Sequence, residues 1–477
     1  MPVLVLSVSG ARGLVDDGLD DQVVDRLAAA FVATVGPGSM LIGRDSRPSG
    51  GRFARVAAAA LARHGCAVEH LGIVPTPTVQ VAVEHSSARG GLIVTASHNP
   101  IAWNALKFVG ADGTFLGREA MGHLLAAYER GADAPPAAGE SGPATRAAGD
   151  ANAAAQERTP AGASAVAQHL ERILADTPVE RIRAAGVSVV VDAVHGAGAV
   201  LLEPLLAALG VEVGWIAGEP NGRLPEFPEP RAERLGPLQA EVRRRGAWLG
   251  FALDPDGDRC AVVTPETGLG EEWTLPLCAL ARLRRGERGP LVANWSTSSR
   301  IDWLGERFGV PIVRTPVGEA HVVAAMRAQA ALIGGEGNGG VIDPCVHLGR
   351  DAGVAVARLL ELETETVRGG VAAAAAQFPP RALHKAQLAL DPRALDDLAA
   401  ALAVEWTQAP RREDGLRWQW EDGWVHVRPS GTEPIVRLFA EAPSGDLAAE
   451  RVARVEAVAA RVRRAKLEEE EQDAQDR

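Results

Sequence analysis

Short apolar runs with strand character alternate with helix-periodic segments through most of this chain, and several of the runs stop at a polar motif. That alternation predicts sheets covered by helices, an α/β class, because a strand buried on both faces needs an apolar layer on each. Gln22 to Val35 sets Val23, Leu27, Phe31 and Val32 on one helical face. Met40 to Gly43 reads as a strand ending at Arg44-Asp45-Ser46-Arg47, and Phe53 to His64 as a helix. Gly91 to Thr95 is a further strand, and it delivers Ser97 to its carboxyl end, where open α/β sheets bind ligands. Val187 to Asp192 reads as a buried strand followed by a Gly196-Ala-Gly198 turn and a helix through Leu209. The turn lacks the third glycine of a dinucleotide fingerprint, so it reads as a tight reversal. Trp248 to Leu253 is a strand that ends at a triple aspartate.

At 477 residues the chain exceeds what one core usually supports, so two to four domains are expected, with clefts between them. From 131 to 164 small and polar residues, prolines and glycines dominate without hydrophobic period, which predicts a low-complexity linker or insertion. The remaining divisions are 1–130, 165–262, 263–375 and 380–465. The last closes with a helix carrying Val452, Val455, Val458 and Val462, and the charged tail 466–477 reads as solvated and disordered. A net charge of -12 argues against nucleic acid or an anionic membrane as partner, since both need a basic face. Cys66, Cys260, Cys278 and Cys345 stand singly, which fits a reducing cytoplasm. The Val3 to Val8 run is too short for a signal-peptide core, and no apolar stretch is long enough to span a bilayer.

Four motifs carry the chemistry. In Asp254-Pro-Asp256-Gly-Asp258-Arg259 alternating carboxylates can converge on one hard cation, with Arg259 ready for a phosphate beside it. A calcium EF-hand is excluded by Arg259 where glycine is needed and Pro265 where a glutamate is needed; an acidic turn without metal is the plain alternative. In Thr95-Ala-Ser97-His98-Asn99-Pro100, Asn99 and Pro100 resemble a helix cap and first turn, so Ser97 is expected just before a helix start, with Lys107 after a short helix or turn. Ser97 can equally be a turn hydroxyl, and Lys107 a surface lysine. Gly335-Glu336-Gly-Asn338-Gly-Gly340 offers a carboxylate and an amide on a flexible loop. Arg428-Pro-Ser430-Gly431-Thr432 pairs a guanidinium with two hydroxyls and a glycine that lets backbone N–H groups approach an anion; each of these two can also be an ordinary turn.

Taken in order, these motifs resemble the α-D-phosphohexomutase superfamily, together with Gly10-Ala-Arg12-Gly13, Ser296-Thr297-Ser298 and Val317-Gly318-Glu319, over nearly the whole chain. The resemblance implies four domains around a central cleft, three similar mixed α/β units and a smaller α+β C-terminal unit. It implies a phosphorylated Ser97 that also contacts Mg2+ held by Asp254, Asp256 and Asp258. Arg12, His98, Lys107 and Arg259 would surround the reacting phosphate, with Lys107 a candidate for proton transfer. Glu336 and Asn338 would read the sugar, and Arg428, Ser430, Gly431 and Thr432 would hold the phosphate that is not reacting. The implied reaction moves phosphate between the 6- and 1-positions of a hexose phosphate through a bisphosphate intermediate, with a hexose bisphosphate as activator.

Asn338 and Glu319 together resemble phosphoglucosamine mutases of archaeal-like type, so glucosamine 6-phosphate is the expected substrate, with phosphomannomutase/phosphoglucomutase activity as the alternative. A sugar phosphatase would use the same serine and metal but admit water, and a non-catalytic sugar-phosphate binding protein would lack the nucleophile. A small-molecule sugar phosphate is the expected partner, on a monomer or homodimer.

Overall fold

The computed structural model describes residues 4–7, 10–131, 158–430 and 435–475. Three sheets repeat one topology. In the first, the strands Ser39–Arg44, Ala67–Ile73 and Gly90–Val94 are parallel, with Ser39–Arg44 central, and Trp103–Gly110 returns antiparallel beside Gly90–Val94. The second repeats this with Ser188–Asp192, Glu212–Ile216, Leu249–Leu253 and the returning Cys260–Val263. The third does so with Leu291–Asn294, Ile312–Thr315, Ile333–Glu336 and Gly340–Ile342. In each, the link from the third parallel strand to its antiparallel neighbour is one of the motif loops: Ser97, the triple aspartate, and Gly337 to Gly339. All three therefore leave the carboxyl end of a parallel strand, as the sequence predicts for the Ser97 and aspartate loops.

The fourth sheet, Ala382–Leu388, Val436–Ala442, Gly423–Pro429 and Leu416–Trp420, is wholly antiparallel. Helices Leu395–Leu402 and Gly445–Gln475 pack on it, with Val455 and Val458 buried and Val452 and Val462 partly so. One apolar cluster runs through the first three units, joining Leu71 and Val79 to Leu201 and Phe251 and to Leu291 and Leu360. The fourth unit has a core of its own.

Four expectations are corrected. No helix follows Asn99-Pro100; the chain turns directly into Trp103–Gly110, and Lys107 lies within that strand rather than after a helix. The reason is Arg47, whose buried guanidinium takes the carbonyls of Ser97, Asn99, Pro100 and Trp103, which a helix would have needed for its own amides. The 131–164 segment overshoots, because helix Pro160–Ala175 starts within it, capped by Thr159; residues 132–157 lie outside the described ones. The division at 262 falls inside Cys260–Val263, whose sheet continues to Gly268–Gly270. Finally, the final helix runs to Gln475, so the charged tail is helical up to that point; it is rich in Glu and free of Gly and Pro, both favourable to helix. Among the described residues no helix is long and apolar enough to cross a membrane.

Candidate active site

Ser97 holds a left-handed backbone conformation (φ 48°), one that non-glycine residues rarely adopt without compensating contacts. Those contacts are explicit. Its amide donates to Thr95 Oγ1 (2.9 Å), Thr95 donates to Asp45 Oδ2 (2.6 Å), and Asp45 pairs with Arg47 (3.0 Å), which clamps the loop carbonyls from below. Arg12, on the strand Gly10–Val15, holds the other side through Ala96 O (3.2 Å) and Asn99 Oδ1. The result aims Ser97 Oγ at Asp254, to whose Oδ2 it donates at 2.7 Å, with His98 Nδ1 3.4 Å away.

The three aspartates are buried, and one oxygen of each lies within 4.8 Å of the others. Gly257 turns the loop with φ 67°. Gly196 lets it pack down, since a Cβ there would stand 2.5 Å from Pro255 O, so the glycine turn read as a reversal also seats the aspartate loop. Burial, then the charges of Asp258 and Asp256, push the Asp254 carboxyl well above the usual carboxylate range. Burial also pushes Asp256 up, but the Lys107 ammonium at 2.7 Å and hydrogen bonds from Asp254 and Thr76 together outweigh it and hold that group below its ordinary value. Asp256 Oδ1 and Asp258 Oδ1 are buried oxygens without a hydrogen-bond partner. Crowded, partly orphaned carboxylate oxygens beside a serine hydroxyl are a donor set that fits a hard divalent cation.

A cavity of about 500 Å3 opens above this floor. At the serine end stand Arg12, His98, Lys107 and Arg259. Burial lowers the Lys107 pKa but Asp256 and Asp258 overcome it, keeping the side chain an ammonium. Burial and the charges of Arg259, Arg12, Arg437 and Arg350 drive the His98 pKa well down, so its imidazole is neutral at pH 7. Along the middle lie Glu336, Asn338 and Glu319. Glu336 Oε1 accepts from Asn294 Nδ2 (2.8 Å) and the Gly318 amide (3.0 Å), and burial, which would raise its pKa, is outweighed by Arg350 and these donors. Asn338 uses both ends of its amide, on Glu336 Oε2 (3.3 Å) and the Gly340 amide (3.1 Å). The Glu336 loop is a tight hairpin rather than the flexible loop expected. Arg428 and Ser430 line the cavity too, while Gly431 and Thr432 lie outside the described residues. All four motifs thus reach one cleft, the aspartate motif through Arg259, with the buried aspartates behind Ser97 and Lys107.

Profile models of the phosphoglucomutase/phosphomannomutase alpha/beta/alpha domains I, II and III match residues 5–134, 167–268 and 271–380, and that of the C-terminal domain matches 384–458. The chain belongs to the phosphoglucomutase/phosphomannomutase family. It is a phosphohexomutase, an isomerase of the α-D-phosphohexomutase superfamily. It is 32% identical over 451 residues to a phosphoglucomutase/phosphomannomutase of Thermococcus kodakarensis, covering 92% of this chain and 95% of that one. It is 32% identical over 415 residues to a phosphoglucosamine mutase of Parafrankia sp., covering 86% and 83%. A crystal structure of a family protein from Burkholderia thailandensis superposes with a TM-score of 0.78 at 25% identity over 97% of each chain.

Several residues of this phosphohexomutase site carry no sequence motif. Glu229 pairs with Arg259 (3.1 Å), Asp414 accepts from Arg428 Nε (3.1 Å) and from the Val317 amide (2.8 Å), and Arg437 lines the anion end. Lys385 pairs with Glu271 (2.7 Å) and Glu272 (2.8 Å), and burial together with Glu271 lifts the Glu272 pKa to about 7. Arg350 binds three carboxylates at once. None of them falls in a motif of recognisable spacing in the sequence. The strand-end motif Arg44-Asp45-Ser46-Arg47 was visible, and its structural role as the clamp on the serine loop is the addition. A second buried cluster, His169 and His347 on Asp351 Oδ2 (2.7 and 3.2 Å), lies apart from the cavity lining and caps the helix Ala352–Glu363 through Asp351 Oδ1.

Proposed function

We propose that this phosphohexomutase moves phosphate between the 6- and 1-positions of a hexose phosphate through a phosphorylated Ser97, with glucosamine phosphate as its substrate. The observation that carries the reading is Ser97 Oγ, held in a strained loop 2.7 Å from Asp254 Oδ2 and facing a cavity that Arg428 and Ser430 also line. Asp254, Asp256, Asp258 and the Ser97 phosphate would hold a Mg2+ ion, which when bound supplies positive charge to the transferring phosphoryl group.

The chain's own residues complete the chemistry. Arg12, Lys107 and Arg259 place fixed cations around the equatorial oxygens, the arrangement that most helps a loose phosphoryl-transfer transition state. Neutral His98 is able to accept a proton from an attacking hydroxyl, and the Lys107 ammonium is able to return one to a departing oxygen. Arg428 and Ser430, with Gly431 and Thr432, would hold the remote phosphate. The bisphosphate intermediate would then turn over and present its other phosphate to Ser97, in a cleft that keeps water from the phosphoserine.

Four carboxyls, Glu271, Glu272, Glu319 and Glu336, line the cavity, and an ammonium at the second carbon suits them. One observation favours a hydroxyl there instead: Lys385 and Arg350 between them engage all four. A coupled assay comparing glucosamine, mannose and glucose 1-phosphates, with Mg2+ and a hexose bisphosphate, decides the substrate. Glucosamine phosphate is expected to give the highest kcat/KM. Peptide mass analysis is expected to find phosphate on Ser97, and Ser97→Ala to lose isomerisation with its circular dichroism unchanged. Full activity in that variant, or net phosphate release by the native protein, would sink the mechanism.

A further inference from the structure

Arg350 is the one side chain that ties the aspartate floor to the middle of the cavity among the described residues. Its Nη2 donates to Asp258 Oδ2 (2.7 Å), its Nε to Glu319 Oε2 (2.9 Å) and its Nη1 to Glu336 Oε2 (2.7 Å). Those carboxylates come from three separate elements: the aspartate loop, the start of helix Glu319–Gln329, and the strand Ile333–Glu336. The guanidinium reaches them only because residue 340 is glycine, since a Cβ on Gly340 would stand 2.3 Å from Arg350 Cδ. Gln80 fixes the other oxygen of Glu319 (3.1 Å), so the carboxylate cannot follow a guanidinium that moves away. Each nitrogen of the planar fork meets a carboxylate, an arrangement a lysine cannot reproduce.

We propose that Arg350 is a positioning residue that couples occupancy of the aspartate site to the placement of Glu319 and Glu336 against the sugar. The proposal rests on the phosphohexomutase reading of the cavity. Arg350 is a resident cation on Asp258, so it competes with a divalent ion for that carboxylate. An ion that draws on Asp258 loosens one arm of Arg350 and changes its hold on the two glutamates; a sugar that fixes the glutamates does the reverse, because such coupling is reciprocal. Arg350 therefore weakens metal binding while it improves sugar binding.

That opposition of signs is testable, because simple damage to the cavity would weaken both. Metal affinity is read by calorimetric titration of the metal-free protein with Mg2+, and again with Mn2+, in the absence of sugar. Sugar recognition is read as KM and kcat in the coupled assay. Arg350→Met is expected to bind the ion several-fold more tightly, and to raise KM roughly tenfold, the loss expected for hydrogen bonds to charged groups, with a smaller change in kcat. Arg350→Lys keeps a charge near Asp258 but only one arm, so its ion affinity is expected near the native value while its KM stays raised. An Arg350→Met variant whose ion affinity is unchanged or weaker, or whose KM is unchanged, overturns the proposal. Should the native protein isomerise no hexose phosphate, the phosphohexomutase reading fails by itself, and the titration arm still reports whether Arg350 competes for Asp258.

Discussion

Arg47 shows how much a single side chain decides at this site. It is fully buried, pairs with Asp45, and takes four carbonyls of the loop that carries Ser97. Arg47→Met would leave Asp45 an uncompensated buried charge, so a loss of about 3–5 kcal/mol is expected in urea denaturation, together with loss of kcat as Ser97 relaxes from its left-handed conformation. Glu272 makes a different residue-level prediction. Burial lifts its pKa to about 7 from an ordinary 4.5, so between those values the folded protein keeps a proton that the unfolded chain has released. Its contribution to stability is therefore full below pH 4.5, falls as pH rises toward about 7, and is constant above that. Glu272→Gln is expected to flatten this slope in the thermal midpoint measured across that range. Ser97 and the aspartates were legible in the sequence because their chemistry sits in short runs, where neighbours constrain each other. Arg350, Asp414 and Glu272 were not, because each works with partners distant in the chain, and a charge outside any motif of recognisable spacing has no signature of its own.

At the scale of elements, the three motif loops are one device used three times: a link from a third parallel strand to its antiparallel neighbour. The apolar runs that end at polar motifs were legible as strands, since a run of four to six buried residues closed by a glycine or proline leaves little choice. What followed the strands was not legible. Asn99-Pro100 has helix-start chemistry, and only the insertion of Arg47 from a distant strand end turns that segment into a return strand instead. The device also depends on backbone approach. Gly196→Ala would put a Cβ 2.5 Å from Pro255 O, so the aspartate loop must shift. An affinity for Mg2+ reduced about tenfold or more is expected by calorimetric titration, because ligands displaced by a few tenths of an ångström no longer converge. Gly122→Ala is the matching control: that exposed helical glycine has nothing within 4 Å of the added methyl, and the protein is expected to gain about 0.5–1 kcal/mol with metal affinity unchanged.

For the whole molecule, the decisive contrast is between the two ways its units are joined. The first three share one apolar cluster, so they are expected to unfold together. The fourth has its own core, and its links to the others are largely polar: Lys385 to Glu271 and Glu272, His426 Nδ1 to Ser296 Oγ (3.0 Å), Arg417 Nε to Trp295 O (3.1 Å), and Asp414 to the Val317 amide. A polar interface of this kind permits relative motion, and here that motion would open and close the cavity between Ser97 and Arg428. Four domains were expected on the strength of family resemblance; that one of them would be joined differently follows from which residues face the seam, and strand and helix patterns do not report that. Scanning calorimetry is expected to resolve a smaller transition for the fourth unit beside a larger one for the other three. Added salt should lower the smaller transition, since it screens partly exposed ion pairs such as Lys385 with Glu271, and should leave the larger one nearly in place. A hexose bisphosphate that touches both ends of the cavity adds its binding energy to the closed form, so it should draw the two transitions together. A single salt-insensitive transition in the absence of ligand would mean that the seam is as firm as the shared core, and that closure of the fourth unit is no part of how this enzyme excludes water.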